Sequence, residues 1–323
     1  MDICTETFTE VNQHAQSLTH WPQEYDQITE GRFEGYLQDV RVGPVRLFRE
    51  RMNCGVAQHT HTPAGQYGLL IPLRLEARKT SDQARCVLSD GITLLPFDQD
   101  FFFVAPPETD YAVIALDQAQ MESTLSPDDL ELLSDSRRSQ GTPLTPEQLH
   151  RARGKMLSHL KEMEALTQGG SGCPKSACPS STAAMECGIR DRLLLLALEL
   201  YDQALGLGKP QPLGNYHHHI VHASHAYVTS DEGATASILQ LCKQLDIPRR
   251  SLNYSFEKVT GCSPSKYLRS VKLNAARRQL LTTDLPITSV AANWGFFHLG
   301  YFGQEYRRLF GETPSATRSN AGR

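Results

Sequence analysis

Apolar residues in the last third of the chain repeat one pattern, and the second copy follows the first by about fifty residues. The later half of the pattern comprises Leu252, Phe256, Val259, Gly261, Ser263 and Pro264, then fifty positions on Phe302, Tyr306, Leu309, Gly311, Thr313 and Pro314. In the earlier half the offset is forty-nine, and it pairs Ile238, Leu241, Cys242, Leu245 and Ile247 with Ile287, Val290, Ala291, Trp294 and Phe296. The pattern predicts two small helical units of one design, with the one-residue shift in the turn between two helices.

Each copy is predicted to be a helix-turn-helix unit. The predicted supporting and second helices are residues 237–245 and 249–259 in the first unit, and 288–294 and 298–309 in the second. Asp246 to Pro248 and Gly295 supply the turns. Residues 264–281 form a long helix between the units, which would hold the two copies at a fixed separation.

The inward apolar stripe of each second helix leaves other side chains facing outward. These are Arg249, Arg250, Asn253 and Tyr254 in the first unit, and His298, Leu299, Gly300 and Gln304 in the second. Arginine can bond guanine O6 and N7, and asparagine can bond adenine N6 and N7. We therefore predict two recognition helices that enter successive segments of a DNA major groove, about one helical turn apart.

Basic residues near these helices are candidate phosphate contacts, which set register and affinity but carry no sequence information. The candidates are Lys266, Arg269, Arg307 and Arg308. For each of them, the alternative is a solvated side chain on a helix.

Residues 33–117 show a β pattern of short apolar runs separated by proline and glycine. The predicted strands are residues 42–48, 67–75, 91–97, 101–104 and 111–116, after a short helix over 21–28. Many short strands with turn signals favour a sandwich or jelly-roll barrel, which commonly encloses a ligand cavity. Aromatic content suggests pocket residues that could equally be barrel core: Phe33, Tyr36, Phe48, Tyr67, Phe102 and Tyr111.

Residues 126–205 change to a helical pattern, with a Gly, Pro and Ser-rich loop over 167–182. The last helix carries the stripe Ile189, Leu193, Leu196 and Leu200, and its other sides are also apolar. Such a helix is either deeply buried or shared with a second subunit, and we favour the shared interpretation. Residues 206–214 have the composition of a linker.

Charge divides unevenly along the chain. Residues 215–323 hold 13 Lys and Arg against 7 Asp and Glu, a net of +6, whereas residues 1–214 have a net of −10. A basic terminal third suits a polyanion-binding module, although +6 over this length is also compatible with an ordinary surface. The acidic first residues, the short apolar runs and the eight scattered cysteines predict a cytoplasmic protein that does not enter a membrane.

Residues 235–317 resemble the DNA-binding domain of the AraC/XylS transcription regulators. The matching residues are Lys272-Leu273-Asn274-Ala275-Ala276-Arg277, Leu280-Leu281, Ile287, Val290-Ala291, Trp294-Gly295-Phe296, Leu299, Tyr301-Phe302, Tyr306, Phe310-Gly311 and Thr313-Pro314. The resemblance implies a regulator that usually activates transcription, with promoter DNA and RNA polymerase as partners. The chain departs from the family at Leu299 and Gly300, where polar side chains are common, so the second helix is expected to read thymine methyls or DNA shape.

Further segments resemble the ethanolamine-utilisation operon regulators within this family. They are residues 21–27, 31–35, 47–50 and 294–300. This resemblance implies amine-catabolic genes as targets, with ethanolamine and a cobalamin as effectors.

Three histidine and cysteine groups are candidate metal sites. His59-Thr60-His61 looks like the start of a cupin metal site, but a following carboxylate and third histidine at suitable spacing are missing. The cysteines at 173, 178 and 187 fit no standard zinc spacing. The histidine tract of residues 217–225 suits contacts with phosphate as well as with metal. We predict no metal.

The sequence therefore predicts an α+β chain with a jelly-roll or cupin-like β-barrel sensor, a helical dimerisation segment and an all-α double helix-turn-helix domain. The predicted boundaries are residues 1–125, 126–205, a linker at 206–216, and 217–323. The predicted function is a homodimeric, effector-responsive DNA-binding regulator rather than an enzyme. The alternatives are a cupin-type metal-dependent enzyme with a helical C-terminal domain and a sequence-independent architectural protein.

Overall fold

Two antiparallel sheets form the N-terminal part of the computed structural model, which describes residues 1–74, 91–95, 98–124, 127, 140–168, 179–206, 211–212 and 216–321. The strands are β1 Asp2–Phe8, β2 Gln23–Gln27, β3 Gly35–Val42, β4 Val45–Met52, β5 Val56–His61, β6 Gln66–Arg74, β7 Gly91–Leu95, β8 Asp100–Ala105, β9 Thr109–Asp117, β10 Gln140–Pro143 and β11 Gln211–Pro212. The larger sheet has the order β1-β3-β4-β9-β6-β7-β10-β11, and the smaller has the order β2-β5-β8.

Helices cover the larger sheet and build the C-terminal domain. They are α1 Val11–Ser17, α2 Gln118–Thr124, α3 Pro146–Gln168, α4 Pro179–Gly206, α5 Tyr216–Thr229, α6 Ile238–Gln244, α7 Arg249–Thr260, α8 Pro264–Thr282, α9 Ile287–Asn293, α10 Leu299–Phe310 and α11 Pro314–Ala321. The mixed α+β class predicted from the sequence is confirmed.

Strand β9 shows why the central sheet is apolar on both faces. Tyr111, Val113 and Ala115 point into a core between the two sheets, and the residues between them point into a core beneath α3 and α4. Successive side chains of a strand face opposite sides, so a strand covered on both sides reads as an unbroken apolar run. The burial of all nine residues of β9 except the last follows from this position.

Helix α4 lies on the outer face of the larger sheet. Its predicted stripe of Ile189, Leu193, Leu196 and Leu200 is buried against that sheet and α3. The stripe is therefore part of the chain's own core. A second subunit could share the helix only through its other sides, and the dimer stays a prediction. The helix still exposes Leu195, at 65%.

The smaller sheet packs directly on the C-terminal domain. Ile28, Ala57 and Val104 from that sheet share one apolar core with Val221 of α5 and Val271 of α8. The layers of the molecule therefore follow in the order α3 and α4, larger sheet, smaller sheet and C-terminal helical domain. The predicted linker over 206–214 lies mostly outside the described residues.

Two N-terminal predictions were wrong in detail. The segment 21–28 contains strand β2 rather than a helix, because its residues pair with β5 from Gln23↔Thr60 to Gln27↔Val56. The strand predicted over 42–48 is interrupted by a hairpin, where Gly43 adopts φ 58° and reverses the chain between β3 and β4. Left-handed backbone of this kind favours glycine.

The helix-turn-helix predictions agree with the structure to within one or two residues. Both second helices end at a left-handed glycine, Gly261 with φ 69° and Gly311 with φ 71°. In each case the glycine N–H donates to a carbonyl four residues earlier, Glu257 O or Arg307 O. The repeated apolar pattern therefore corresponds to two units that also share their termination chemistry.

We predict very different effects on stability for two neighbouring leucines of α4. Leu193→Ala removes a fully buried side chain and should lower the free energy of unfolding by ~2–5 kcal/mol. Leu195→Ala, at an exposed position, should change it by less than ~0.5 kcal/mol. Urea unfolding of the full chain measures both. A comparable loss for Leu195→Ala that depends on protein concentration would show that Leu195 is buried in a dimer.

Candidate nucleic-acid interface

Helices α7 and α10 bury one stripe each and expose the opposite face. Leu252, Phe256 and Val259 are buried in the core of the first unit, and Phe302, Tyr306 and Leu309 are buried in that of the second. All eight residues predicted to face DNA bases are exposed: Arg249, Arg250, Asn253, Tyr254, His298, Leu299, Gly300 and Gln304. The structure thus places them at the surface of the two predicted recognition helices, while base contact itself stays a prediction.

The supporting helix of the first unit is held by local hydrogen bonds. Helix α6 begins with a capping box, in which the Gln240 N–H donates to Ser237 Oγ and the Ser237 N–H donates to Gln240 Oε1. Helix α6 has only seven residues, and a helix this short is not stable on its own. The capping box and the packing against α7 therefore stabilise it. This fixes the turn that orients α7.

A groove of about 750 Å³ runs beside α10. Leu299, Gly303, Gln304 and Arg307 line one side of it, and residues at the start of α11 line the other. Arg308 also lines the groove, so two predicted base-facing residues and two predicted phosphate contacts share one surface.

Three of the four predicted phosphate contacts meet at two carboxylates. Glu30 of the N-terminal domain lies 3.3 Å from both Lys266 Nζ and Arg308 Nε. Glu305 Oε2 accepts from Arg269 Nη1 at 2.9 Å and from Arg308 Nη2 at 2.8 Å. The fourth, Arg307, is exposed. These ion pairs hold Lys266 and Arg308 beside an acidic residue of the other domain.

The remaining arginines of α8 face the N-terminal domain. Arg277 Nε donates to Glu10 Oε1 at 2.9 Å, and Arg278 Nη1 donates to Asp26 Oδ1 at 2.7 Å. From the sequence, Arg277 and Arg278 are expected only as basic positions on the linking helix. Their acidic partners lie more than 250 positions away in the sequence, so no local pattern predicts the pairing.

Asp26 is the buried centre of this contact. Burial would raise its pKa, but Arg278 and His225 outweigh burial and lower the pKa of Asp26 to about 2. His225 lies with Nε2 at 3.1 Å from Asp26 Oδ2, and its Nδ1 is 2.9 Å from the Tyr267 hydroxyl. Burial and the neighbouring His225 lower the pKa of His59 to about 3, so His59 is neutral at physiological pH.

The histidine and cysteine groups considered as metal sites separate in the structure. His59 packs against Phe102 and His225, whereas His61 is exposed and contacts Asp98 and Asp100. Cys187 is exposed on α4, and the cysteines at 173 and 178 lie outside the described residues. No group of three or more His, Cys, Asp or Glu side chains in the described part of the chain is arranged to hold a metal ion.

The six predicted pocket aromatics do not line one space. Phe33, Phe48 and Tyr111 pack in the core between the sheets, and Tyr67 lies in the core under α3 and α4. Phe102 contacts His59 and His222 at the domain boundary, and Tyr36 lies under the Arg51 guanidinium. A pocket containing all six is therefore wrong, because alternation along the strands sends them to different faces. Phe33, Phe48 and Tyr111 remain a predicted group.

Comparisons with known proteins show what the C-terminal domain is similar to. Residues 241–320 match the model of the helix-turn-helix domain. The chain is 41% identical over 96 residues to XylDLEGF operon transcriptional activator 2 of Pseudomonas putida, which covers 29% of this chain and 61% of that protein. It is 30% identical over 138 residues to the probable thc operon regulatory protein of Rhodococcus erythropolis, which covers 42% of this chain and 40% of that protein.

A solved AraC-type transcriptional regulator from Chromobacterium violaceum is 28% identical, with a TM-score of 0.29, and the match covers 32% of this chain and 89% of that one. At this TM-score the assignment depends on the sequence matches. The C-terminal domain therefore contains a helix-turn-helix domain, and its sequence is similar to those of the operon regulators described. The chain spans 40% and 61% of the length of the two curated relatives described.

The two curated relatives are named as a probable operon regulatory protein and a transcriptional activator. No helix in the described residues has both the length and the apolar character that crossing a membrane requires.

The pKa of His59 predicts a pH-dependent stability. Its folded pKa of about 3 lies below the usual value of 6.5, so the unfolded chain binds the proton more strongly. The contribution of His59 to the free energy of unfolding is fully present above pH ~6.5 and is lost as the pH drops toward 3. Between pH 7 and pH 5 the loss is about 2 kcal/mol. His59→Phe should remove this part of the slope in urea unfolding measured at both pH values. His20→Phe, at an exposed position, is the control. An unchanged slope in His59→Phe would contradict the assignment.

Proposed function

We propose that this protein is a transcription regulator that binds double-stranded promoter DNA through both helix-turn-helix units. The observation that carries the proposal is the pair of matched units, each with a buried stripe and an exposed outward face on α7 or α10. The names of the relatives over this domain support it.

The first unit carries the polar readout. Arg249, Arg250 and Asn253 are exposed on the first two turns of α7, the part of a recognition helix that usually meets the base edges. Tyr254 lies beside them, with the Lys258 ammonium 5.6 Å from its ring centre. This face can donate hydrogen bonds to guanine and can both donate to and accept from adenine.

We predict that Asn253→Ala relaxes the base preference at one operator position. The lost amide pair should reduce discrimination at that base pair by ~1–3 kcal/mol, because a bidentate contact with adenine is removed. Competition binding with every single-base variant of a duplex selected by the wild-type chain measures the effect. Ser265→Ala, exposed on α8 and outside the predicted base-facing set, is the control. An equal loss of affinity on all duplexes would make Asn253 a positioning contact.

The N-terminal domain is proposed to control DNA binding through the loop of residues 29–32. The Gly31 N–H and Gln27 Nε2 both donate to Leu309 O at the end of α10, at 3.1 and 2.8 Å. Between these anchors, Glu30 reaches Lys266 and Arg308. A shift of this loop would move the end of the second recognition helix. It would also change how freely Lys266 and Arg308 can bind DNA phosphate.

Glu30 therefore competes with DNA phosphate for Lys266 and Arg308. We predict that Glu30→Gln raises affinity for duplex DNA severalfold at low salt, because it releases one or two cations to bind phosphate. The slope of log K against log salt should become steeper by ~0.9 for each additional phosphate that the protein neutralises. Filter binding over a salt series measures this.

Glu34→Gln is the matched control, since Glu34 is exposed four residues further along and undergoes the same charge change. An identical slope for wild type and Glu30→Gln would remove the loop from the control of DNA binding.

The finer form of the proposal concerns the effector, the assembly and the target genes. We propose a small-molecule effector for the N-terminal domain near Phe33, Phe48 and Tyr111, a cytoplasmic homodimer, and RNA polymerase as a partner. On the basis of the resemblance to ethanolamine-utilisation operon regulators, we propose amine-catabolic genes as targets, with ethanolamine and a cobalamin as effectors. Promoter-fragment binding with and without these compounds, at fixed salt, tests the pathway, and sedimentation with and without DNA tests the dimer.

A further inference from the structure

The turn of the second unit contains one residue more than the turn of the first. Asp246 and Gly295 are the left-handed residues that follow the supporting helices, with φ 51° and 78°. Pro248 and His298 are the residues that precede the recognition helices. In the first unit only Ile247 lies between the left-handed residue and the residue that precedes the helix. In the second unit Phe296 and Phe297 lie between the corresponding residues. Since Phe296 is buried where Ile247 is half-buried, Phe297 is the added residue.

The added phenylalanine points into solvent. Phe297 is 75% exposed, whereas the neighbouring Phe296 is buried in the core of the second unit. Leu299, two residues on, is 46% exposed and opens α10. Exposed apolar side chains this close together form a surface that gains free energy when a partner covers it.

The outward face of α10 also has two positions that carry no side chain. Counted from the start of each recognition helix, Gly300 and Gly303 stand where the first unit has Arg250 and Asn253. A Cβ atom added at either glycine would meet nothing within 4 Å. Glycine disfavours a helix interior, and packing within the described chain does not require it at these two positions. The two units therefore present different chemistry. Hydrogen-bonding groups occupy the first turns of α7, whereas at the start of α10 Phe297, Leu299 and two glycines lie beside His298 and Gln304.

Double-stranded DNA is the occupant that the surroundings of this surface favour. Phe297 and Leu299 lie at the amino-terminal end of the helix, which enters the major groove in helix-turn-helix proteins. Arg307 and Arg308 lie further along the same helix and supply positive charge toward a polyanion. The major groove offers one apolar group for such side chains, the 5-methyl group of thymine.

Resting on the proposed function, we propose that Phe297 reads a thymine methyl in the half-site bound by the second unit, with Leu299 flanking it. The bare surface at Gly300 and Gly303 lets α10 approach the base edges closely enough for this contact. Specificity is divided accordingly. The first half-site is selected by hydrogen bonds. In the second, van der Waals contact with a methyl group adds to the hydrogen bonds that His298 and Gln304 can form.

Replacing thymine by deoxyuridine tests this directly, because it removes only the methyl group and preserves base pairing and charge. The probe is a duplex selected from a random-sequence library by the full-length chain. Each thymine is replaced in turn, and affinity is measured by competition. At one or two positions of one half-site, uridine should weaken binding by the wild-type chain about fourfold, the effect of losing one buried methyl-sized group.

Phe297→Ala should abolish the uridine effect at one of these positions, since the methyl then has no phenyl ring to contact. Because Phe297 is exposed, this variant is expected to fold, and thermal unfolding checks it. Leu239→Ala is the matched control, because Leu239 is 70% exposed in the same domain but lies on a supporting helix. The control should keep the uridine effect even if its overall affinity changes.

The outcomes separate the two proposals. If the library yields no preferred duplex, sequence-specific DNA binding fails and the Phe297 contact fails with it. If a duplex is selected but uridine is tolerated everywhere, or weakens wild type and Phe297→Ala equally, only the methyl contact is overturned.

Discussion

Asn274 closes the open edge of the smaller sheet, and the arrangement of the two domains depends on that contact. Strand β2 is an edge strand, so Gln27 would leave its backbone N–H and C=O without partners inside the protein. The Gln27 N–H donates to Asn274 Oδ1 at 3.0 Å, and Asn274 Nδ2 donates to Gln27 O at 2.8 Å. Both residues are buried. A side chain of α8 thus takes the place of a neighbouring strand and fixes the sheet against the helix that joins the two DNA-binding units.

Charged groups around this amide pair make the contact specific. Asp26, adjacent to Gln27, is 1% exposed and would be costly to bury as an isolated carboxylate. Arg278 from the other domain forms an ion pair with it, and His225 Nε2 lies 3.1 Å from its Oδ2. Arg277 forms ion pairs with Glu10 and Glu312. Removing either side leaves a buried charge unpaired, so the domains are held in one relative orientation. A movement of the smaller sheet would therefore be transmitted directly to α8 and, through the loop of residues 29–32, to the end of α10.

The C-terminal domain was predicted well because its structure follows from local spacing. Residues such as Leu252, Phe256 and Val259 recur at helical intervals, and Gly261 and Gly311 mark where the helices end. The N-terminal strands were predicted less completely. The sequence predicts a helix where β2 lies, and in β5 it marks only the two histidines. Pairing partners such as Gln23 and Thr60 are distant in sequence, so no local pattern predicts their pairing. A buried helix and a dimer helix have the same composition, so the role of α4 could not be read from its leucines alone.

The sequence by itself determined the duplicated units, the face of each recognition helix and the division into a β part and a helical part. These features depend on periodicity and on turn residues within a few positions of one another. Only the tertiary structure decided what the basic residues of α8 and α10 contact. Lys266 and Arg308 meet Glu30, and Arg278 meets Asp26, across more than 200 positions of chain. Charge pairing at such separation depends on how the sheet packs against the helix, and packing leaves no periodic trace in the sequence.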